Sequence, residues 1–253
     1  DINFYGNASL GGRNADQQRT LGNLVLDARS LNGFNNAGQT NLVDANNVTL
    51  LNTNTGTSAA TAYGAGNLEI NAENITLAAG DKLIQGFDNV TFVAAKQLVA
   101  QGKGSITLNA GDTAQHSLVL QAGQITGKNK SDLTIKASND VITIQPETDA
   151  AASATEALNA KLKIVGKRIV DNGIIDLAGG SVTLQASGTE AGDGVTLGSG
   201  SRISATGLSK TISGQTKYAQ AGSVSLISEN GGVDIQSGAL VGVSGDAGGG
   251  DAG

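Results

Sequence analysis

GSVTLQASG, residues 180–188, decides how this chain folds. The same word opens GSITLNAG at 104–111 and GSVSLISENGG at 222–232. In each, apolar residues alternate with Ser or Thr after a glycine, which is the period of a half-buried strand. A catalytic pocket has no use for one word written three times. A stack of equivalent layers does, because each layer presents the same surface to the next.

Similar words run along the chain. Leu68 and Ile70 share one face of NLEI, and Ile75 and Leu77 share one face of NITL. The parity switches from even to odd between them, so NAE at 71–73 is a corner. The first apolar residue of each word falls at Leu68, Ile75, Leu83, Val90, Leu98 and Ile106, in steps of 7, 8, 7, 8 and 8. The march resumes at Leu118, Ile125, Leu133 and Val141, in steps of 7, 8 and 8. Hairpins would show Asn-Gly or Asp-Gly at most turns, whereas these corners read NAEN, AAGD and KNKSD. The spacing predicts an all-β coil with three short strands per rung and 21–23 residues per rung. Val90 then lies beside Leu68, Leu98 beside Ile75, and Ile106 beside Leu83. The 42 residues from Gly180 to Gly222 read as two rungs. Residues 1–253 form one segment of about eleven rungs, roughly 50 Å long at the inter-strand spacing.

In GSVTL, Val182 and Leu184 point inward, while Ser181 and Thr183 face water. Glycine at the corner supplies the φ > 0 of a sharp bend. Asn67 with Asn89, and Asn74 with Gln97, either stack between rungs or serve only as turn formers. Three stretches break the march: 53–66, the lengthened corner NAGDTAQHS at 109–117, and Pro146–Ala160. The last is an excursion from the coil. It is either a short helix near 149–160 capped by Asp149, or an Ala-rich loop.

Composition bounds the function. The net charge is −6 with no basic stripe, which argues against nucleic acid as a partner. Aromatic residues make up 3 %, so the core is thin and built from Val, Ile, Leu and Ala. Cysteine is absent, which excludes disulfides, thiolate metal sites and a Cys nucleophile. The start at Asp1 and the turn-rich ending SGDAGGGDAG read as a piece of a longer protein.

DINFYGN at 1–7, LGNLVLDARSL at 21–31, GNLEINAENITLAAGD at 66–81 and the Gly-Ser-Val-Thr-Leu words resemble filamentous haemagglutinin-like exoproteins of two-partner secretion. The resemblance covers essentially the whole chain, as repeat grammar rather than a signature motif. It implies a right-handed parallel β-helix, and a secreted rod at the bacterial cell surface with adhesive or biofilm roles. It also implies an outer-membrane transporter for export of the parent protein. Host or matrix surfaces, glycans among them, would be its partners, and exposed rung ends would favour end-to-end self-association.

The alternative is a β-helical carbohydrate-active enzyme or polysaccharide-binding module, which needs acids gathered in one groove. Glu69 plus 22 reaches Thr91, and Glu73 plus 23 reaches Lys96, so those acids do not pair between rungs. Asp88 and Asp112 are 24 apart and could neighbour each other, but both sit at turn positions. His116, the only histidine, reads as an exposed loop residue and has no second His for zinc. GDAGGGDAG at 245–253 lacks the calcium-binding nonapeptide. No catalytic residue, metal or cofactor is therefore expected. Tyr63 and Tyr218, in polar surroundings, are the candidate surface residues for stacking on sugars, against the reading that each covers a loop or rung end.

Overall fold

The computed structural model describes residues 1–56, 64–147 and 157–252. Its strands begin with β1 (Ile2–Phe4), β2 (Ser9–Gly11), β3 (Asn23–Asp27), β4 (Ser30–Gly33), β5 (Thr40–Leu51), β6 (Gly66–Leu77) and β7 (Gly80–Gln85). They continue with β8 (Phe87–Ala100), β9 (Lys103–Leu108), β10 (Ser117–Gly127), β11 (Asp132–Pro146), β12 (Lys161–Asp171), β13 (Ile174–Asp176) and β14 (Ser181–Ala186). The last are β15 (Val195–Leu197), β16 (Arg202–Ser204), β17 (Ser209–Ile212), β18 (Gln215–Tyr218), β19 (Ser223–Ser228), β20 (Val233–Ile235) and β21 (Leu240–Gly242). There is no helix among the described residues. Most of the expected excursion, including the helix capped by Asp149, lies outside them.

Nineteen strands make one large, curled parallel sheet, and β17 and β18 form a separate antiparallel hairpin. Within the sheet the pairings fall into three ladders. The first joins β2, β5, β6, β8, β10, β11, β12, β15 and β20. The second joins β3, β5, β6, β8, β10, β13, β16 and β21. The third joins β1, β4, β7, β9, β11, β12, β14 and β19. The longest ladder thus has nine strands where the even spacing led us to expect about eleven rungs. The connections are longer and less regular than the words themselves.

Long strands serve two ladders by bending. The β6–β8 register shifts between Ala72 and Asn74, at the corner expected from the change of parity. Inward residues there are small: Ala45, Ala72, Ala94 and Ala122 align on successive strands and are all buried. Elsewhere like packs on like. Leu68 aligns with Val90, Ile75 with Leu98, and Phe92 with Ile70 and Leu120, each 0–1 % exposed.

Two inward assignments fail. Leu83 aligns with Thr107 and is half-buried, while Lys82 faces Ile106 and Ile84 faces Leu108. Val141 likewise aligns with Ser117, and Ile142 is the inward partner of Leu118. In both words two apolar residues are adjacent, and neighbouring residues on a strand point to opposite faces. The choice between them falls to the partner strand. The 42-residue interval is also a single step, because Val182 aligns directly with Val224. The β17–β18 hairpin and the chain around β15 and β16 fill the interval.

The glycines of the repeated word serve close approach rather than φ > 0. A Cβ at Gly104 would lie 2.3 Å from the carbonyl oxygen of Gly80. At Gly180 it would lie 2.2 Å from that of Ala160, and at Gly222 1.6 Å from that of Gly180. The left-handed position is one or two residues earlier, at Gly102 (φ 76°) and Gly179 (φ 58°).

Polar side chains form ladders of their own between strands. Asn47 Nδ2 donates to Asn23 Oδ1 at 2.9 Å, and Asn74 Nδ2 to Asn47 Oδ1 at 3.0 Å. Asn89 Nδ2 donates to Asn67 Oδ1 at 2.8 Å, so that pair stacks as well as turns. Asn74 and Gln97 are register partners, and Gln97 donates onward to Gln124 at 3.2 Å. Each such bond contributes about 1 kcal/mol net.

Two buried charges have strongly displaced pKa values. Lys82 is 5 % exposed, and its ammonium donates to the carbonyls of Ala78 (2.6 Å), Gly80 (2.5 Å) and Ala79 (3.3 Å). Burial lowers its pKa from 10.5 to about 8, against the opposing pull of Asp81. The folded state then holds fewer protons than the unfolded chain between those values, so stability rises with pH across that window. Asp171 is fully buried, accepting from Ser201 Oγ at 2.6 Å and Gly173 N–H at 2.9 Å. Burial outweighs those two bonds and raises its pKa from 3.8 to about 6. Here the folded state holds more protons, so stability falls as pH rises through that window. Asp171→Asn is expected to flatten the acid limb, worth about 3 kcal/mol, and Lys82→Met the alkaline limb, worth about 2 kcal/mol after solvent screening. Denaturant midpoints between pH 4 and 10 measure both, and unchanged limbs in the variants would refute the assignments.

Candidate functional site

The corner before β10 places the one histidine among three carboxylates. His116 is not an exposed loop residue: its side chain is 9 % exposed. Asp140, near the middle of β11, accepts from the His116 backbone N–H at 2.9 Å and lies 3.2 Å from Nδ1. An ionised carboxylate only accepts, so the Nδ1 contact is a donation from the ring to Asp140. Nε2 faces Asp112 at 3.7 Å and Asp88, at the start of β8, at 4.0 Å. Asp88 and Asp112 are about half exposed, whereas the Asp140 side chain is 2 % exposed.

A groove of about 190 Å³ adjoins the cluster, lined by residues 107–111 and by Lys136 and Ser138–Asp140. The spacing of Asp88 and Asp112 does bring them to one place. Asp140 was missed because it follows Asp112 by 28 residues, outside a 21–23-residue period. The imidazole is oriented by a buried carboxylate, as in a catalytic dyad, but Nε2 meets two further carboxylates rather than a nucleophile. No group of three or more His, Asp or Glu among the described residues has metal-holding geometry.

The contacts tie the 109–117 corner down to β8 and β11. Asn139 Nδ2 donates to the Asp112 carbonyl, and Lys167 Nζ donates to Gln115 Oε1 at 3.1 Å. His116→Ala is expected to speed amide exchange in residues 109–117 by about tenfold, the cost of about 1–2 kcal/mol of side-chain contacts. Unchanged exchange would show that the histidine holds nothing down.

Tyr63 lies outside the described residues. Tyr218 ends β18, is 45 % exposed, and lies against Gly248, where a Cβ would come within 2.7 Å of its ring. An aromatic pair at the other end of the chain was missed. Tyr5 (62 % exposed) and Phe34 (37 %) stack with centroids 5.1 Å apart and planes 14° apart. They follow β1 and β4, and only the pairing of those strands, 29 residues apart, makes them neighbours.

A second groove, of about 370 Å³, lies over the outer side of β7 and β9 and includes Arg29, Asp81, Leu83, Ser105 and Thr107. At the far end of the ladders, Val233, Ile235 and Val241 occupy core positions opposite Val195, Leu197 and Ile203. They are nevertheless 43–55 % exposed.

No family model matches the chain, and no curated protein and no solved structure matches it.

Proposed function

We propose that the three ladders are the faces of a right-handed parallel β-helix, and that this helix is a shaft segment of a filamentous haemagglutinin-like adhesin. The carrying observation is the layered pairing itself. Ladder after ladder sets Val, Ile and Leu on their own kind inside and amides on amides outside. Such a structure spends its sequence on stacking and offers long polar faces for attachment. On this reading the parent protein is secreted through an outer-membrane transporter and held at the bacterial surface. It attaches there to host or matrix surfaces, with glycans among the partners. The open edges of β19, β20 and β21, with Val233 and Ile235 exposed, favour end-to-end association with further strands.

The second reading is a carbohydrate-active enzyme or polysaccharide-binding module, favoured by one observation: His116 oriented by Asp140 beside Asp88 and Asp112. The test is glycan-array and cell-surface binding by the purified segment, run beside a polysaccharide-cleavage assay. Binding without turnover is the expected result. Turnover that disappears in His116→Ala would replace the adhesin with the enzyme. Neither binding nor turnover would remove adhesion and leave a mechanical spacer.

A further inference from the structure

Side chains hold the corner between β9 and β10 to the rod. Among the described residues, no main-chain hydrogen bond joins residues 110–115 to a neighbouring strand; the Asp112 N–H returns to the Asn109 carbonyl at 3.0 Å. Asn109 (φ 40°) and Gly111 (φ 84°) turn the chain through left-handed conformations. The fastenings are Asn139 on the Asp112 carbonyl, Lys167 on Gln115, and His116 among its three carboxylates. A change at one of these side chains therefore acts on the whole corner.

The three carboxylates come from three elements: Asp140 from β11, Asp88 from β8 and Asp112 from the corner itself. The charge on the ring decides how they sit together. An imidazolium donates from Nδ1 to Asp140 and turns a second N–H toward Asp112 and Asp88. A neutral ring that keeps its Asp140 bond presents a lone pair to those two carboxylates. The three negative charges are then left around an uncharged ring and repel one another. Histidine is the side chain whose charge ordinarily changes between about pH 5 and 8. The other charged groups at the corner are Lys136, which lines the groove, and Lys167, which also faces Glu190 and Asp193 at 4.0 and 3.8 Å.

We propose that His116 is a proton-operated clasp on this corner. Protonated, it draws Asp112 and the corner onto Asp88 and Asp140. Neutral, it releases the corner and widens the groove of about 190 Å³ that residues 109–111 share with Lys136 and Asn139. The closed corner binds the proton better than the open one, so acid closes it and a rise in pH opens it. The clasp regulates the cluster on which the carbohydrate-active reading rests, without depending on that reading.

The test follows amide exchange in the purified chain between about pH 5 and 8, corrected for the intrinsic pH dependence of exchange, beside an NMR titration of the single histidine ring. Protection of residues 109–117 is expected to fall at least about fivefold toward the upper limit, with its midpoint on the ring's own titration. His116→Gln donates but never becomes charged, and it leaves Lys82 and Asp171 in place; its corner should show no such fall. Asp88→Asn combined with Asp112→Asn should reduce the fall to less than about twofold. Melting curves verify that the variants are folded, and the wild-type profile decides alone where one is not. Protection that does not change with pH in the wild type, or a midpoint away from the ring titration, overturns the clasp. So does a fall that persists in His116→Gln or stays complete in the double variant. Glycan binding and turnover bear on the function proposed above and not on this result.

Discussion

Val182→Asp is expected to lose about 4 kcal/mol or more of stability, enough to lower Tm by about 10 °C or to prevent folding. Val182 is fully buried, with Leu162 aligned on one side and Val224 on the other. A carboxylate at that position has no cation or donor within the apolar stack, and burying it unpaired is among the costliest single changes. Thr183→Asp, one residue on, is the control. Thr183 points to the opposite face, between the exposed Lys163 and Ser225, and the substitution should change stability by less than about 0.5 kcal/mol. Thermal and denaturant unfolding of the two proteins measures the contrast. Equal midpoints would overturn the division between inside and outside.

Gly180→Ala is expected to cost about 3 kcal/mol, although it adds a single methyl group. That methyl would lie 2.2 Å from the Ala160 carbonyl oxygen and 3.0 Å from Leu177 Cβ. The contact is with the backbone immediately before β12, where the Ala160 carbonyl accepts from Ser181 N–H at 2.8 Å, so it cannot give way without disturbing the register of β12 with β14. Gly192→Ala is the matched control: nothing lies within 4 Å of its Cβ position and its φ is not left-handed. It should be neutral or slightly stabilising through the unfolded chain. A Gly180→Ala protein as stable as Gly192→Ala would show that the strands approach less closely there than the pairing implies.

These experiments separate two roles that the repeated word left merged. Gly-Ser-Val-Thr-Leu was legible as a strand with Val and Leu inward, and at Val182, Leu184 and Ile106 the burial agrees. The role of its glycine was not legible. Close approach of a neighbouring carbonyl depends on a residue 20 or more positions away, and a positive φ falls just before the word, at Gly102 and Gly179. The charged residues show the same limit. Lys82 has the polar look of a surface residue, yet Gly80 and the register with Ile106 turn it inward, where backbone carbonyls receive it. Asp88, Asp112 and Asp140 come from three successive passes of the chain, spaced unevenly, so no fixed period finds all three around His116.

By itself the sequence determined that the chain is all-β, that its strands alternate inward and outward residues, where the bend at 71–73 falls, and that Leu68 and Ile75 pair with Val90 and Leu98; the short strands it led us to expect are joined into runs of 11–15 residues that bend at the corners. Those features follow from side-chain alternation with a period of two, a local property of the backbone. Only the tertiary structure decided which of two adjacent apolar residues turns inward at Leu83 and Val141, and that Val182 meets Val224 in one step. It likewise decided that His116 is enclosed by carboxylates. Each of these depends on which strand lies beside which. The lengths of the connections fix that pairing, and they vary freely because loops carry no part of the core.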